Sequence, residues 1–280
     1  MENKNTANII SSEESGIEGS EKEIKGKTKT KAAALKKILL VIGLLAIIMG
    51  IVIVIYISTY YRADALMLKD LSEELKGTND SYSVFIGNDN ELVVMPDEAK
   101  AGIIFYPGGK VQYEAYYPLM RELARDGYLC ILLKVTANLA ILDINAADGY
   151  IEQYSEIDSW YLAGHSLGGA VASMYADEHS GEYDGLILLG SYSTEDLSGD
   201  VDAVLSIYGS NDQVLAKDKY DTNKDNLPEL TEYILDGGCH AYFGCYGEQK
   251  GDGEPTISRD EQIEQTAEYI DLFIMENLIK

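Results

Sequence analysis

A chain of 280 residues with 46% hydrophobic and 25% charged residues has the makeup of a globular protein with one sizeable core or two small ones, which excludes general disorder. Its formal charge of −25 argues against nucleic acid as a partner, because phosphate binding needs clustered Lys and Arg. A solvated, self-repelling surface is the plainer meaning.

The charge is uneven along the chain. Of 22 Lys and Arg and 47 Asp and Glu, residues 1–57 hold 8 Lys and 6 acids, so the remainder carries a net charge of −27. Residues 1–37 are rich in Glu, Lys, Ser, Thr and Gly and poor in large apolar residues, so a disordered tail is expected there. Next comes ILLVIGLLAIIMGIVIVIYI, residues 38–57, twenty residues without a charge. As a helix it would span about 30 Å, the thickness of a hydrocarbon core, and a buried core helix would rarely lack polar residues on every side. Seven Lys lie in residues 22–37, and only Arg62 and Lys69 in residues 58–73. The positive-inside rule therefore predicts a single-pass cell-membrane protein with a cytoplasmic N-terminus and everything after Tyr60 extracellular. A cleaved signal peptide is the competing reading, from Ala63 and Ala65, but the apolar run exceeds the roughly 7–15 residues of a signal h-region. Residues 58–79 are expected as a helical stalk, with Ala65, Leu68, Leu71 and Leu75 at helical spacing, and the folded domain as residues 80–280.

Within that domain, short apolar runs alternate with amphipathic stretches, the pattern of a mostly parallel sheet with helices on both faces. Strands are predicted at SVFIG, ELVVM, AGIIFYP, YLCILLKV, SWYLAG, DGLILLG, VDAVLSIYG and LTEYILDG. Helices are predicted over residues 113–126, 143–153, 167–178 and 258–278. Runs such as GIIFY and LILL suit a sheet covered on both faces.

The chemistry gathers in the loops that follow the strands. After AGIIFYP comes YPGGK, whose glycines allow close backbone approach, although it lacks the spacing of a phosphate-binding loop. After SWYLAG comes GHSLGG and then a helix, the strand–turn–helix context of a G-x-S-x-G nucleophile elbow, which marks Ser166. Only three histidines could serve it as base. His165 precedes the serine and its side chain points to the other side of the turn; His179 lies thirteen residues down the same helix, about 20 Å away. That leaves His240, in the loop after the last strand, where open parallel sheets place their sites. Asp212, directly after VDAVLSIYG, is the expected acid, with Glu195 or Asp196 in reserve. The expected oxyanion donors are the backbone N–H of Leu167 and one from the PGGK loop, Gly109 with Lys110 as the alternative. SYSTEDLSGD, residues 191–200, is too short and polar for a helical cap. Cys239 and Cys245 flank His240; a disulfide or two unpaired thiols are both open, while Cys130 is expected as a buried thiol. No zinc spacing or dinucleotide fingerprint appears, so neither cofactor nor metal is expected.

Taken in order, YPGGKVQYEAYYPL, AGHSLGG, YGSNDQV and GGCHAYFGCYGEQKGDG resemble the α/β-hydrolase superfamily, and within it the compact group related to dienelactone hydrolases known as alpha/beta hydrolase fold-5. The resemblance covers roughly residues 101–273. It implies an α/β-hydrolase fold without a large cap, a Ser166, Asp212 and His240 triad, and hydrolysis of a small ester-like substrate through an acyl-enzyme. Acyl transfer or amide cleavage would use the same parts, and a binding ectodomain without catalysis could keep the fold. Pro107 stands where many relatives have the histidine of an HG pair.

Overall fold

The computed structural model of the chain describes residues 35–77 and 81–279. Of the tail predicted over residues 1–37, only residues 35–37 fall among these, and they are helical. The described residues divide into two units, one ending at Ser58 and the other beginning at Thr59. In the first, helix α1 (Leu35–Ser58) is long and apolar enough to cross a membrane, and its large apolar side chains are exposed on all faces.

The second unit contains helix α2 (Ala65–Glu74) and strands β1 (Tyr82–Ile86), β2 (Leu92–Pro96) and β3 (Ala101–Tyr106). There follow α3 (Tyr117–Arg125), β4 (Tyr128–Leu132), α4 (Tyr150–Gln153), β5 (Trp160–His165) and α5 (Leu167–Glu178). The chain continues through β6 (Gly185–Leu189), β7 (Ala203–Gly209), α6 (Lys217–Asn223), β8 (Glu229–Leu235) and α7 (Arg259–Leu278). The strands form one sheet in the order β1-β2-β4-β3-β5-β6-β7-β8. β1 and β2 are antiparallel, as is the β2–β4 pair, and every pairing from β4 onward is parallel.

The pleat sorts alternate residues into two cores. Ile103, Phe105, Tyr161, Ala163, Leu205 and Ile207 face α2, α3 and α7. Ile104, Tyr106, Trp160, Leu162, Leu186 and Val204 face α5 and the segment around Tyr150. Each of β3 to β7 is buried along its whole length, which is why these strands read as unbroken apolar runs. α5 lies close over β5 because its sheet-facing side is small: a Cβ on Gly164 would stand 2.4 Å from the Gly168 carbonyl carbon. α7 begins where Ser258 Oγ accepts the Glu261 N–H, with Asp260 and Glu261 complementing the helix dipole.

Three expectations are revised. The helix predicted over residues 143–153 is replaced by 3₁₀ turns at Thr136–Asn138, Ala140–Leu142 and Ile144–Ala147, followed by the single turn of α4. Asp143 turns back to accept the Thr136 N–H and hydroxyl, and Gly149 takes φ +82°, so the polar residues here satisfy local turns rather than a helix. The helix expected from residue 113 is a 3₁₀ turn (Tyr113–Tyr116) before α3 begins, with Pro118 at its first turn. Finally, the helix read as a stalk is α2, and it is packed: Met67 and Leu71 are buried in the first core, and Tyr61 pairs in parallel with Val111. The boundary expected near Asp80 falls at residues outside those described.

Candidate active site

Ser166 lies between β5 and α5 with φ 53° and ψ −123°, a positive-φ conformation costing a non-glycine residue of order 1–3 kcal/mol. The turn is held from both sides. The Ser166 N–H donates to the Leu189 carbonyl at 2.9 Å, and its carbonyl accepts the Ser191 hydroxyl at 2.7 Å. A side chain at residue 168 could not pass, since its Cβ would stand 2.2 Å from the Tyr106 carbonyl oxygen. Hence the flanking glycines.

His240 follows β8, and its Nδ1 lies 2.8 Å from Asp212 Oδ2, with both side chains buried. A carboxylate only accepts, so Nδ1 carries the proton and Nε2 holds the lone pair. Among the described residues, Nε2 is buried and has no hydrogen-bond partner, the Ser166 hydroxyl included. Asp212 is oriented in turn by two backbone donors: Oδ1 accepts the Val214 and Leu215 N–H groups at 2.9 and 2.8 Å. Gly190, with φ +50°, abuts the pair; a Cβ there would stand 3.0 Å from His240 Nδ1 and 3.1 Å from Asp212 Oδ2. Gly190 directly follows Leu189, which receives the Ser166 N–H, and Ser166, Asp212 and His240 each come after the C-terminal end of a strand, β5, β7 and β8, at the same end of the parallel sheet. Neither reserve acid joins them. Glu195 Oε1 accepts the Thr194 hydroxyl, and Asp196 accepts from Ser198, whose side chain and then backbone N–H hold the exposed carboxyl below its ordinary value.

The loop after β3 presents three successive N–H groups, two of them committed. Gly108 donates to the Tyr116 hydroxyl at 3.1 Å and Lys110 to the Asn138 carbonyl at 2.6 Å. Gly109 N–H has no acceptor among the described residues, and a Cβ on Gly109 would stand 3.3 Å from Leu167 Cβ. Gly109 and the head of α5 are therefore neighbours, and the position held by Lys110 is spoken for.

One site residue escaped the residue-by-residue reading. Asp252 Oδ1 accepts the His240 N–H at 3.1 Å and that of Gln213 at 3.4 Å, while Oδ2 accepts the Ala241 N–H at 2.8 Å. It clamps the turn bearing the acid to the turn bearing the base. The only sequence signal for it was its place in the KGDG stretch.

The bridge weighed between Cys239 and Cys245 is not formed; both are free buried thiols, as is Cys130. A 3₁₀ turn, Ala241–Phe243, separates them and each is moored elsewhere: the Cys239 N–H to Gln262, the Cys245 N–H to the Ala115 carbonyl. Burial pushes the Cys239 thiol up to about 12 and the Cys245 thiol up to about 11, so neither is a nucleophile at neutral pH. Among the described residues, no group of three or more His, Cys, Asp or Glu could hold a metal ion.

No curated protein matches the chain. Among solved structures, it is similar to Est1E from Butyrivibrio proteoclasticus at 15% identity and a TM-score of 0.51, over 72% of this chain and 100% of that one. It is also similar to TT1662 from Thermus thermophilus at 14% identity and a TM-score of 0.52, over 70% and 98% of the two chains. At such identity the likeness is one of fold. The alpha/beta hydrolase family model matches residues 102–264, more than half of the chain and the whole span from β3 to α7 that carries the elbow, the acid turn and the histidine loop. The chain belongs to the alpha/beta hydrolase family.

Proposed function

We propose that the protein is a membrane-anchored, extracellular serine hydrolase acting on small carboxylic esters. The observation that carries this reading is the buried Asp212–His240 pair, its Nε2 without a hydrogen-bond partner among the described residues, at the same end of the parallel sheet as the strained turn that bears Ser166. His240 Nε2 takes the Ser166 hydroxyl proton as Oγ attacks the ester carbonyl, and Asp212 stabilises the imidazolium through Nδ1–H. The Leu167 and Gly109 N–H groups receive the developing oxyanion. His240 then gives its proton to the departing alcohol, leaving an acyl-enzyme, and water activated by the same imidazole releases the acid. Three lines support an open site for short acyl groups. No helix lies between β6 and β7, Leu197 folds that loop down into the second core, and the Leu197 N–H is held by the Asn226 carbonyl. On this reading the site holds only a short acyl group, and each CH₂ beyond about four to six carbons forgoes up to ~0.8 kcal/mol of burial. The lysine excess before residue 38 supports a cytoplasmic N-terminus.

The test is fluorophosphonate labelling of the full chain together with its rates on p-nitrophenyl acetate, butyrate, octanoate and palmitate. Labelling should vanish in Ser166→Ala, and Ser166→Ala and His240→Ala should each lower kcat by several orders of magnitude, with the double variant hardly worse. Absence of labelling in folded protein would sink the reading, and a rate maximum at palmitate would sink its substrate class.

A further inference from the structure

His165 lies beside the nucleophile but takes no part in the mechanism above. It is fully buried, and its ring centroid lies 4.5 Å from that of His240. Its Nε2 is 3.1 Å from the His240 carbonyl oxygen and its Nδ1 is 2.8 Å from the Tyr116 hydroxyl, which accepts the Gly108 N–H at 3.1 Å.

The partners dictate the proton positions. A carbonyl oxygen only accepts, so Nε2 carries the proton and donates to His240. Nδ1 then holds a lone pair and accepts the Tyr116 O–H, while the Tyr116 oxygen accepts from Gly108. Every donor points one way, from Gly108 through Tyr116 and His165 to the backbone of His240. A second proton on His165 would turn Nδ1 into a donor and leave the buried Tyr116 O–H without an acceptor. Burial, and then the neighbouring His240, hold the His165 imidazole well below its ordinary value, in keeping with the neutral ring. Space is equally specific: a Cβ on Gly108 would stand 2.6 Å from the Tyr116 hydroxyl and 2.7 Å from His165 Nδ1.

The two ends of this link are the loop that offers the Gly109 donor and the residue whose imidazole moves the proton. We propose that Tyr116 and His165 are positioning residues: together they tie the oxyanion loop at Gly108 to the backbone of His240 and set the spacing between oxyanion donor and base. The proposal rests on the roles given above to Ser166, Gly109 and His240. A histidine that merely filled the core would need no tie to both loops, and its loss would cost stability without changing the chemical step.

The experiment uses the full chain in detergent with Tyr116→Phe, His165→Gln and the double variant. Each keeps a side chain of similar bulk. On p-nitrophenyl butyrate, each single variant should lower kcat about 10- to 100-fold with KM within about twofold, the scale of one strategic buried hydrogen bond. The double variant should be no worse than the weaker single, because the link is broken at either point. Unchanged kcat, a loss confined to KM, or single losses that multiply would overturn the proposal. ¹⁵N NMR of the imidazoles gives a readout independent of turnover, and with three histidines His165 is assigned by its loss in His165→Gln. Wild-type protein should show a protonated Nε2 and a bare, hydrogen-bonded Nδ1, and Tyr116→Phe should move Nδ1 to its unbonded shift. A proton on Nδ1 sinks the link even if the variants fail to fold, whereas wild-type protein with no turnover or probe labelling sinks the serine-hydrolase reading instead.

Discussion

At the scale of single residues, the site is a set of close approaches that leave no room for a side chain. Gly190 is the clearest: it combines a left-handed φ of +50° with contact to both His240 and Asp212. Gly190→Ala should therefore push the imidazole and the carboxylate apart while straining the backbone by about 1 kcal/mol. The expected outcome is a loss of kcat by at least roughly tenfold with only a modest fall in the denaturation midpoint, measured by ester turnover and urea unfolding; each 1.4 kcal/mol of lost transition-state stabilisation is one decade. Retention of full turnover would mean that the His240–Asp212 pair has slack that the structure does not suggest. Asp252 acts at the same scale, fixing two turns with three N–H groups.

At the scale of elements, the segment around α2 is part of the site's frame. The Tyr61 N–H donates to the Lys110 carbonyl at 2.7 Å, Gln112 N–H returns a bond to the Tyr61 carbonyl at 2.9 Å, and Gln112 Oε1 accepts the Ala63 N–H at 3.1 Å. The Asp64 N–H then reaches the Cys245 carbonyl at 2.8 Å, and its side chain caps α2 at Leu66 and Met67. Residues 61–64 thus strap the loop after β3 to the loop after β8. A chain beginning at Thr59 should fold with unaltered turnover, and one beginning at Ser81 should lose about 3 kcal/mol or more of stability. That figure follows from losing the burial of Met67 and Leu71 against the first core, at ~1.5–3 kcal/mol for each side chain. Chemical denaturation and p-nitrophenyl butyrate rates on the two chains decide it; equal stability would show that α2 is ornament. The residue 143–153 misreading belongs to this scale as well, because apolar spacing suited a helix while Asp143, Asn145, Asp148 and Gly149 favoured turns.

At the scale of the whole molecule, an apolar helix of 24 residues precedes a strongly acidic globular unit. Residues 38–57 of α1 carry no charge on any face, so water is a poor solvent for them, whereas the net charge of −27 beyond residue 57 favours hydration of the rest. The full chain should partition into the detergent phase and the chain beginning at Thr59 into the aqueous phase. On whole cells, added protease should digest the acidic unit and spare the residues before Lys37. Mature protein in the medium beginning at Leu66 would replace the anchor with a cleaved signal peptide.

Sequence by itself determined the eight strands, the helices α5 and α7, the apolar span and the elbow at Ser166. These follow from local causes: side-chain period, glycines at a turn, and a run without charge, all legible within a few neighbouring residues. The scarcity of histidine also singled out His240 before any geometry was known. Only the tertiary structure decided which acid lies against that imidazole, which N–H of the PGGK loop stays unspent, and that Cys239 and Cys245 are free thiols rather than a disulfide. It alone revealed Asp252 beneath two turns and the path from Gly108 to His240. Those pairings join groups 28, 49 and 75 residues apart, where no periodicity records a partner. A buried polar group must find its partner wherever the packed chain places one, and that place is set by the strand order of the sheet rather than by neighbours in sequence.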